Sequence, residues 1–193
     1  MPKVLFVSQD TVKKRCQIGI GDDLDVKKYT VSLATYDSLR CPVRGSEIGE
    51  EAMELIRTED ESFRAIRKAY TYLADHDRSK YALRMRLIQA GFSREASELA
   101  VRRCVEHGYL DENRQLERAV EREANYKLRG RYYIKRHLAG KGYSLSDIDR
   151  AIDLLVDRGD IDFDENFDRL CEKRGIESDE DRAALKYRFG YKI

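Results

Sequence analysis

Apolar and polar residues alternate with a period of two along the chain up to about residue 34. This alternation is typical of β-strands that bury one face. A short apolar run from Val4 to Val7 precedes it, and Gly21-Asp22-Asp23 has the composition of a turn. The alternating apolar positions are Cys16, Ile18 and Ile20 in one segment and Tyr29, Val31 and Leu33 in the next. The pattern therefore predicts a small antiparallel sheet in the first part of the chain.

The period changes to that of a helix at Ser46. The apolar residues that share one helix face are Ile48, Ala52, Leu55 and Ile56. Ser46 has the residue type that favours a helix N-cap, and the segment 41–45 contains Pro42 and Gly45. We therefore expect a linker at 41–45 and a helix that begins behind Ser46.

An internal repeat with a period of 51 residues fills most of the remaining chain. The tripeptide Gly91-Phe92-Ser93 aligns with Gly142-Tyr143-Ser144 when the sequence is shifted against itself by 51 residues. The matched apolar pairs include Leu83 and Ile134, Leu87 and Leu138, Ala100 and Ala151, Val101 and Ile152, and Leu110 and Ile161. A further shift places Leu185 on Ile134, so a third copy begins. Repeats of this length are supersecondary units that bury their apolar faces against one another.

The predicted fold is mainly α, with tandem three-helix repeats that form an elongated array behind a small N-terminal antiparallel β segment. The predicted helices are 63–76, 79–89 and 93–107 in the first copy, 111–128, 131–139 and 144–158 in the second, and 162–174 and 178–189 in the third. Ser144 and Asp147 have the spacing of a capping box. The predicted boundaries are a β-rich segment at 1–45, a linking helix at 46–62, repeats at 63–110 and 111–161, and an incomplete repeat at 162–193.

The composition is that of a strongly solvated helical protein. Of the 193 residues 38% are charged, Pro occurs twice, and the mean hydropathy is −0.68. The apolar runs are far shorter than the roughly 20 residues that a membrane-spanning helix needs, and Met1-Pro2-Lys3 does not begin a signal peptide. We therefore expect a cytosolic protein without a membrane partner.

The charge is distributed unevenly along the chain. Residues 1–63 hold 9 Lys/Arg and 12 Asp/Glu, a net charge of −3, residues 64–143 hold 19 and 10, a net +9, and residues 144–193 hold 9 and 14, a net −5. A partner senses the local field within a Debye length of roughly 8 Å. The basic middle therefore suits phosphates, and the acidic flanks suit a basic partner. Helices that simply carry solvated charges would give the same counts.

The cysteines show no pattern of a metal site or a disulfide framework. Cys16, Cys41, Cys104 and Cys171 are widely spaced and form no CxxC pair. The repeat aligns Cys104 with Leu155, and it aligns Cys171 with Val120. We therefore expect four free cysteines, of which Cys104 and Cys171 are small core residues.

The histidines and short motifs do not predict an enzyme. The repeat aligns His107 with Arg158 and His137 with Arg86. Because a catalytic histidine would not normally be interchangeable with arginine, this alignment speaks against a catalytic role for either histidine. No GxSxG, HExxH, Walker or GxGxxG pattern occurs in the sequence. The sequence therefore predicts no catalytic residue, no cofactor and no metal ligand.

The motifs of the helical part, taken in order, resemble those of a known family. They are Ala69-Tyr70-x-Tyr72-Leu73-Ala74, Arg78-Ser79, Leu83 with Leu87, Gly108-Tyr109-Leu110-Asp111-Glu112, and Leu128-Arg129-Gly130 before a basic helix that ends at Lys141-Gly142. On these motifs the stretch from Ala65 to Gly175 resembles the RecX family of bacterial recombination regulators, whose members are built as tandem three-helix repeats. The sheet before residue 27 and the incomplete third repeat depart from the family.

The resemblance implies a function and a partner. It implies that the protein binds the RecA recombinase filament on single-stranded DNA and inhibits its ATP hydrolysis, strand exchange and co-protease activity. The protein would thereby regulate DNA repair, DNA recombination and the SOS response. A repeat array can bridge successive subunits of such a filament. We expect the protein to act as a monomer.

The basic residues of the repeats are the predicted contacts with nucleic acid or the filament. They are Lys80, Arg84, Arg86, Arg102, Arg103, Lys127, Arg129, Arg131, Lys135 and Arg136. Charge that recurs between copies suits a tracked phosphate backbone better than base readout. Two alternatives stay open from the sequence: a freestanding nucleic-acid-binding regulator that uses basic helices such as 131–139, and a structural adaptor without nucleic-acid affinity.

Overall fold

A computed structural model describes residues 2–21 and 25–191 of the chain. Its first part holds the strands β1 (Lys3–Asp10), β2 (Arg15–Gly21) and β3 (Val26–Ser32), which pair antiparallel in the order β1-β2-β3. Cys16 lies opposite Val31 in the register of β2 and β3. The predicted antiparallel sheet is confirmed, whereas the predicted turn Gly21-Asp22-Asp23 lies mostly outside the described residues.

A short helix follows the sheet where the alternating pattern predicted further strand. Helix α1 spans Leu33–Ser38. The hydroxyl of Ser32 accepts a hydrogen bond from the backbone N–H of Thr35 at 3.1 Å and caps this helix. The strand therefore ends at Ser32, and Leu33 is the first helical residue.

Helix α2 is continuous from Glu50 to Asp75. The prediction that a helix begins behind Ser46 is wrong, because the Ser46 hydroxyl accepts the N–H of Val43 at 3.0 Å and its carbonyl accepts the N–H of Val4 at 2.9 Å. These bonds hold Ser46 in a turn beside β1. No helix end separates the predicted segments 46–62 and 63–76.

The rest of the described chain is helical, as predicted. The helices are α3 (Lys80–Gln89), α4 (Arg94–Glu106), α5 (Glu112–Glu121), α6 (Arg131–Ala139), α7 (Leu145–Asp157), α8 (Phe163–Arg174) and α9 (Asp179–Phe189). Their ends lie within one residue of the prediction, except in the predicted helix 111–128. There α5 continues into a π-helical turn at Arg122–Tyr126, and Leu128 then adopts a left-handed conformation with φ of 52°.

The internal repeat is visible in the way that equivalent helices end and begin. Gly91 and Gly142 have φ values of 90° and 89°, a left-handed conformation that favours glycine after a helix. The hydroxyls of Ser93 and Ser144 then each accept the backbone N–H three residues later. The Gly-aromatic-Ser tripeptide therefore ends one helix and begins the next.

The chain divides into two compact units, each built from segments that are distant in sequence. The first unit contains Met1–Tyr72 and Arg86–Glu106, and the second contains Leu73–Met85 and His107–Ile193. The core beneath the sheet of the first unit consists of Val4, Cys16, Ile18, Ile20, Val31, Tyr36, Ile48, Met53 and Ile56. The predicted boundaries at 45, 62, 110 and 161 stay predictions.

The second unit holds two apolar clusters that use equivalent faces of the repeat. One cluster contains Ile134 and Leu138 of α6 together with residues of α5 and α7. The other contains Leu185 and Phe189 of α9 together with Leu128 and residues of α8. The 51-residue shift that aligns these pairs therefore identified positions with the same packing role. Among the described helices, none combines the length and the apolar character needed to cross a membrane.

Candidate functional site

The ten basic residues predicted as contacts fall in both units. Arg86, Arg102 and Arg103 lie in the first unit, and Lys80, Arg84, Lys127, Arg129, Arg131, Lys135 and Arg136 lie in the second. In the second unit, α6 and the segment before it concentrate the charge. The stretch Lys127–Lys141 contains six Lys/Arg and no Asp/Glu.

The three residues of the first unit are exposed on its helices. Arg86 lies beside the ring of Tyr72, with 5.6 Å between the guanidinium carbon and the ring centroid. Arg103 pairs with Glu106 at 3.0 Å, one turn along the same helix. Arg102 is exposed on α4 beside it. These side chains lie on the surface, and none of them lines the cavity beside Met53 and Arg57.

Two lysines of the second unit already have carboxylate partners. Lys80 Nζ lies 3.2 Å from Glu112 Oε2. Lys127 Nζ lies 2.7 Å from Oε1 of Glu123, a residue of the π-helical turn whose side chain is 1% exposed. Arg84 lies beside the ring of Tyr81 at 5.7 Å. A phosphate would therefore compete with existing carboxylates for both lysines.

Arg131 and Lys135 of α6 pair with the acidic face of α7. Arg131 lies 2.6 Å from Asp153 and 3.4 Å from Asp149, and Lys135 Nζ lies 2.8 Å from Asp149. The hydrogen bond from Lys135, helped by Arg131, lowers the pKa of Asp149 below its ordinary value of 3.8. The sequence predicted these two cations as phosphate contacts, but the fold gives each of them an internal anion first.

Arg129 has a packing role that the sequence did not indicate. Its guanidinium carbon lies 4.3 Å from the ring centroid of Tyr133 and 4.5 Å from that of Phe189. Its Nε is buried and has no hydrogen-bond partner among the described residues. The side chain is therefore held between two aromatic rings, where cation–π contacts stabilise it.

Arg136 is the predicted residue of α6 that stays exposed and has no ion pair with any described residue. It lies 5.9 Å from the ring centroid of Tyr132. Together they line a cleft of about 510 Å³ between α6 and the end of α9, which we call the α6–α9 cleft. Its lining residues are Tyr132, Tyr133, Arg136, His137, Tyr187, Arg188 and Gly190.

A second cleft adjoins the first on the other side of Tyr132. It measures about 680 Å³, and we call it the Leu145 cleft after the exposed side chain at its edge. Its lining residues are Arg131, Tyr132, Lys135, Arg136, Ala139, Leu145, Gly190 and Tyr191. The two clefts therefore share a ridge that consists of Tyr132, Arg136 and Gly190.

Close contact between two glycine backbones fixes the wall of both clefts. The N–H of Gly130 donates to the carbonyl of Phe189 at 2.9 Å, and the N–H of Tyr132 donates to the carbonyl of Gly190 at 3.0 Å. A Cβ at Gly130 would collide with the backbone of Gly190 and Tyr191. The carbonyls at the end of α9 therefore satisfy the free N–H groups at the start of α6.

Known regulatory proteins resemble the chain in sequence. No family model matches the chain. The chain is 31% identical to the regulatory protein RecX of Lactobacillus johnsonii over 113 residues, which are 58% of this chain and 40% of that protein. It is 26% identical to the regulatory protein RecX of Lactobacillus gasseri over 162 residues, which are 84% of this chain and 58% of that protein.

Two solved structures share the fold. A crystal structure of a regulatory protein RecX superposes with a TM-score of 0.67 at 21% identity, covering 95% of this chain and 89% of that one. RecX from Lactobacillus salivarius superposes with a TM-score of 0.55 at 16% identity, covering 67% and 86%. The chain therefore resembles RecX proteins in sequence and shares their fold. It spans about half the length of the curated relatives that it matches.

Two residues of the α6–α9 cleft, Tyr187 and Arg188, were not predicted from the sequence. Both lie between Leu185 and Phe189, the apolar positions of the third copy that align with Ile134 and Leu138, and the repeat contained a signal for them. The 51-residue shift places Tyr187 on Arg136 and Arg188 on His137. The α6–α9 cleft is therefore lined by the same positions of two successive copies.

Three of the four cysteine thiols are buried. Cys16, Cys104 and Cys171 are buried free thiols, and Cys41 is exposed. Burial raises the pKa of Cys104 to about 11, which disfavours the nucleophilic thiolate. Within residues 2–21 and 25–191, no three His, Cys, Asp or Glu side chains are grouped so that they could hold a metal ion.

Proposed function

We propose that this protein is a member of the RecX family, binds the RecA recombinase filament on single-stranded DNA and suppresses its ATP hydrolysis, strand exchange and co-protease activity. In the cell it would act as a monomer in the cytoplasm and limit DNA recombination, DNA repair and the SOS response. The similarity to two regulatory proteins named RecX is the main support for this function.

The observation of this structure that supports the proposal is the position of Arg136 and Arg188 in one cleft. Both arginines are without an ion pair to the described residues, and the surrounding stretch Lys127–Lys141 has no acidic residue. Nucleic-acid phosphates and acidic protein segments are the anions that such a surface attracts. A filament of protein on single-stranded DNA offers both.

ATP hydrolysis by RecA on single-stranded DNA tests the proposal directly. We expect the rate to fall when there is less than one chain of this protein for each RecA subunit, because a bound regulator affects neighbouring subunits of a polymer. Unchanged hydrolysis at equimolar protein, with filaments verified by electron microscopy, would contradict the proposal.

A pair of matched variants tests whether the cleft contributes to inhibition. Arg136→Gln removes one charge from the α6–α9 cleft. Arg150→Gln removes one charge from α7, where the arginine is exposed and pairs with Asp147 at 3.3 Å. We expect Arg136→Gln to raise the concentration needed for half inhibition several-fold, by the 0.5–1 kcal/mol typical of an exposed charged contact, and Arg150→Gln to leave it unchanged.

The second candidate is a nucleic-acid-binding regulator that needs no RecA. The interleaved arginine and tyrosine residues of the α6–α9 cleft favour it, because they form a surface that can bind single strands directly. Pull-down with RecA filaments and with bare single-stranded DNA separates the two functions. Equal retention on both, without an effect on RecA ATP hydrolysis, would favour the second candidate.

A further inference from the structure

We propose that the α6–α9 cleft is a single-stranded DNA subsite in which bases stack on Tyr187 and Tyr132 while Arg136 and Arg188 bind the adjacent phosphates. The inference deepens the proposed function, because it names the surface that would hold the DNA strand. All four side chains line one cleft of about 510 Å³.

The aromatic rings are available at the surface. Tyr187 is 75% exposed and Tyr132 is 40% exposed, and both line the cleft. Exposed tyrosine rings are the side chains on which unpaired bases stack, without regard to sequence. The neighbouring Tyr133 is instead stacked on His137, with 5.7 Å between the ring centroids, and forms the inner wall.

The charges around the two tyrosine rings favour an anionic ligand that also carries aromatic rings. Arg131 and Lys135, which line the Leu145 cleft, pair with Asp153 and Asp149 of α7, so these two carboxylates are neutralised. The acidic residues of α9 lie in its first turn, whereas Tyr187 and Arg188 lie in its last turn. Glu123, which lies 3.5 Å from His137 in the cleft wall, is paired with Lys127. The cleft therefore presents the positive charges of Arg136 and Arg188 to a ligand.

The adjoining Leu145 cleft provides room for a further base. Its volume of about 680 Å³ lies within the range of roughly 300–1,000 Å³ that small-molecule sites occupy. Tyr132 stands between the two clefts and contributes to both. A strand that crosses this ridge would place successive bases on either side of one ring.

Single-stranded DNA fits this surface better than the two other anionic partners. A duplex keeps its bases stacked inside, so its bases cannot reach tyrosine rings unless they are flipped out. An acidic peptide would satisfy the arginines but would leave the exposed rings without stacking partners. A DNA single strand is therefore the occupant of this cleft.

Binding of dye-labelled oligo(dT), followed by fluorescence anisotropy, tests the subsite with matched tyrosine variants of the full chain. Tyr187→Ala removes the exposed ring, Tyr187→Phe keeps it, and Tyr126→Ala removes a ring that is 79% exposed on the same unit but lines neither cleft. We expect Tyr187→Ala to weaken binding about tenfold, the loss of one stacked base. Tyr187→Phe and Tyr126→Ala should bind like the unchanged protein.

The arginines have a separate readout in the salt dependence. Arg188→Gln should lower the slope of log affinity against log salt by about 0.7, the value for one lost phosphate contact on a single strand. Arg150→Gln is the charge-matched control and should leave the slope unchanged. Equal slopes for both variants would overturn the assignment of Arg188.

Photo-cross-linking with bromodeoxyuridine-substituted DNA locates the strand. The proposal expects cross-links at Tyr187 or Tyr132, and cross-links confined to other helices would overturn it. A different result would contradict the proposed function. If the unchanged protein does not inhibit RecA, the proposed function is wrong, even where Tyr187→Ala has a lower affinity for oligo(dT). Conversely, full inhibition of RecA with equal oligo(dT) affinity of Tyr187→Ala and Tyr126→Ala would leave the proposed function standing and overturn the subsite.

Discussion

At the scale of single residues, the neighbouring side chains decide what an arginine does in this protein. Arg129 and Arg136 lie seven positions apart in the same basic stretch. Arg129 is held between the rings of Tyr133 and Phe189, whereas Arg136 is exposed at the ridge of the two clefts. The sequence predicted the same role for both residues. Only the packing of α9 shows that one is enclosed by aromatic rings and the other is exposed.

His137 is expected to make stability depend on pH. Burial, and then the charge of Lys141, lower its pKa below the ordinary value of 6.5, although Glu123 opposes this with Oε1 at 3.5 Å. Above pH 6.5 the side chain is neutral in both states and has no effect. As the pH falls below 6.5, the unfolded chain binds a proton that the folded chain resists, so the free energy of unfolding decreases.

Urea denaturation above and below pH 6.5 measures this effect. His137→Gln should lose part of the decrease, while His107→Gln, at an exposed position, should retain it. An identical pH dependence in His137→Gln and the unchanged protein would contradict the role of His137.

The four cysteines are expected to differ in reactivity. Cys41 is exposed, whereas the other three are buried and burial raises the pKa of Cys104 to about 11. A thiol reagent should therefore label Cys41 first in the folded protein and all four cysteines in denaturant.

The substitution Cys104→Val should keep the proposed inhibition of RecA and lower the free energy of unfolding by less than about 1.5 kcal/mol, because the side-chain volume is nearly conserved. Rapid labelling of Cys104 in the folded protein would refute this assignment.

At the scale of helices, the carboxylates of α7 compete with external phosphates for the cations of α6. Replacing Asp149 and Asp153 by Asn should free Arg131 and Lys135 for phosphates. We expect tighter oligo(dT) binding and a salt slope that is steeper by up to about 0.7 for each freed cation. The measurement is anisotropy over a range of salt concentrations.

The control for this change is the pair Asp157→Asn and Asp160→Asn. Both residues are exposed: Asp157 is the last residue of α7, and Asp160 lies three residues beyond it. Their replacement removes the same charge without releasing Arg131 or Lys135. An equal gain in affinity from the control pair would show that net charge, and not the ion pairs, is responsible.

Gly130 is expected to be essential for the contact between α6 and the end of α9. Gly130→Ala places a methyl group against the backbone of Gly190 and should destabilise the protein by about 1–3 kcal/mol. Gly49→Ala is the matched control, because nothing lies within 4 Å of a Cβ there. Thermal unfolding should show a lower Tm for Gly130→Ala by several degrees. A Tm equal to that of Gly49→Ala would contradict the close approach.

The helices could largely be predicted from the sequence, and the exceptions have physical causes. Local signals such as the Ser144 cap and the left-handed Gly142 lie within a few residues, so a linear pattern contains them. The start of α2 was misplaced because Ser46 is bonded to Val4 from a distant strand. The π-helical turn could not be predicted, because its Glu123 is buried in the fold beside His137.

At the scale of the whole molecule, the interleaved units predict the behaviour of a truncated chain. Leu73–Met85 belongs to the unit that contains His107–Ile193. A fragment 1–111 loses Lys141, whose carbonyl accepts the Ser79 hydroxyl at 2.8 Å, and it loses Glu112, which pairs with Lys80. We expect residues 73–85 of this fragment to exchange their amide hydrogens rapidly, and RecA inhibition to fall by roughly 100-fold or more if both repeats engage the filament together.

Hydrogen exchange followed by mass spectrometry measures the first expectation, and RecA ATP hydrolysis measures the second. The first repeat would suffice if the fragment protected residues 73–85 like the full chain and inhibited equally well per molecule.

The sequence by itself determined the fold class, the repeat, most helix ends and the resemblance to the RecX family, because these depend on periodicity and on signals between near neighbours. Only the tertiary structure decided which cations are exposed. Asp149 and Asp153 neutralise Arg131 and Lys135 across two helices, and α9 brings Tyr187 and Arg188 beside Arg136. Such pairings join residues that are 14 to 52 positions apart, and the packing of apolar faces, which does not depend on the charged side chains opposite, brings them together.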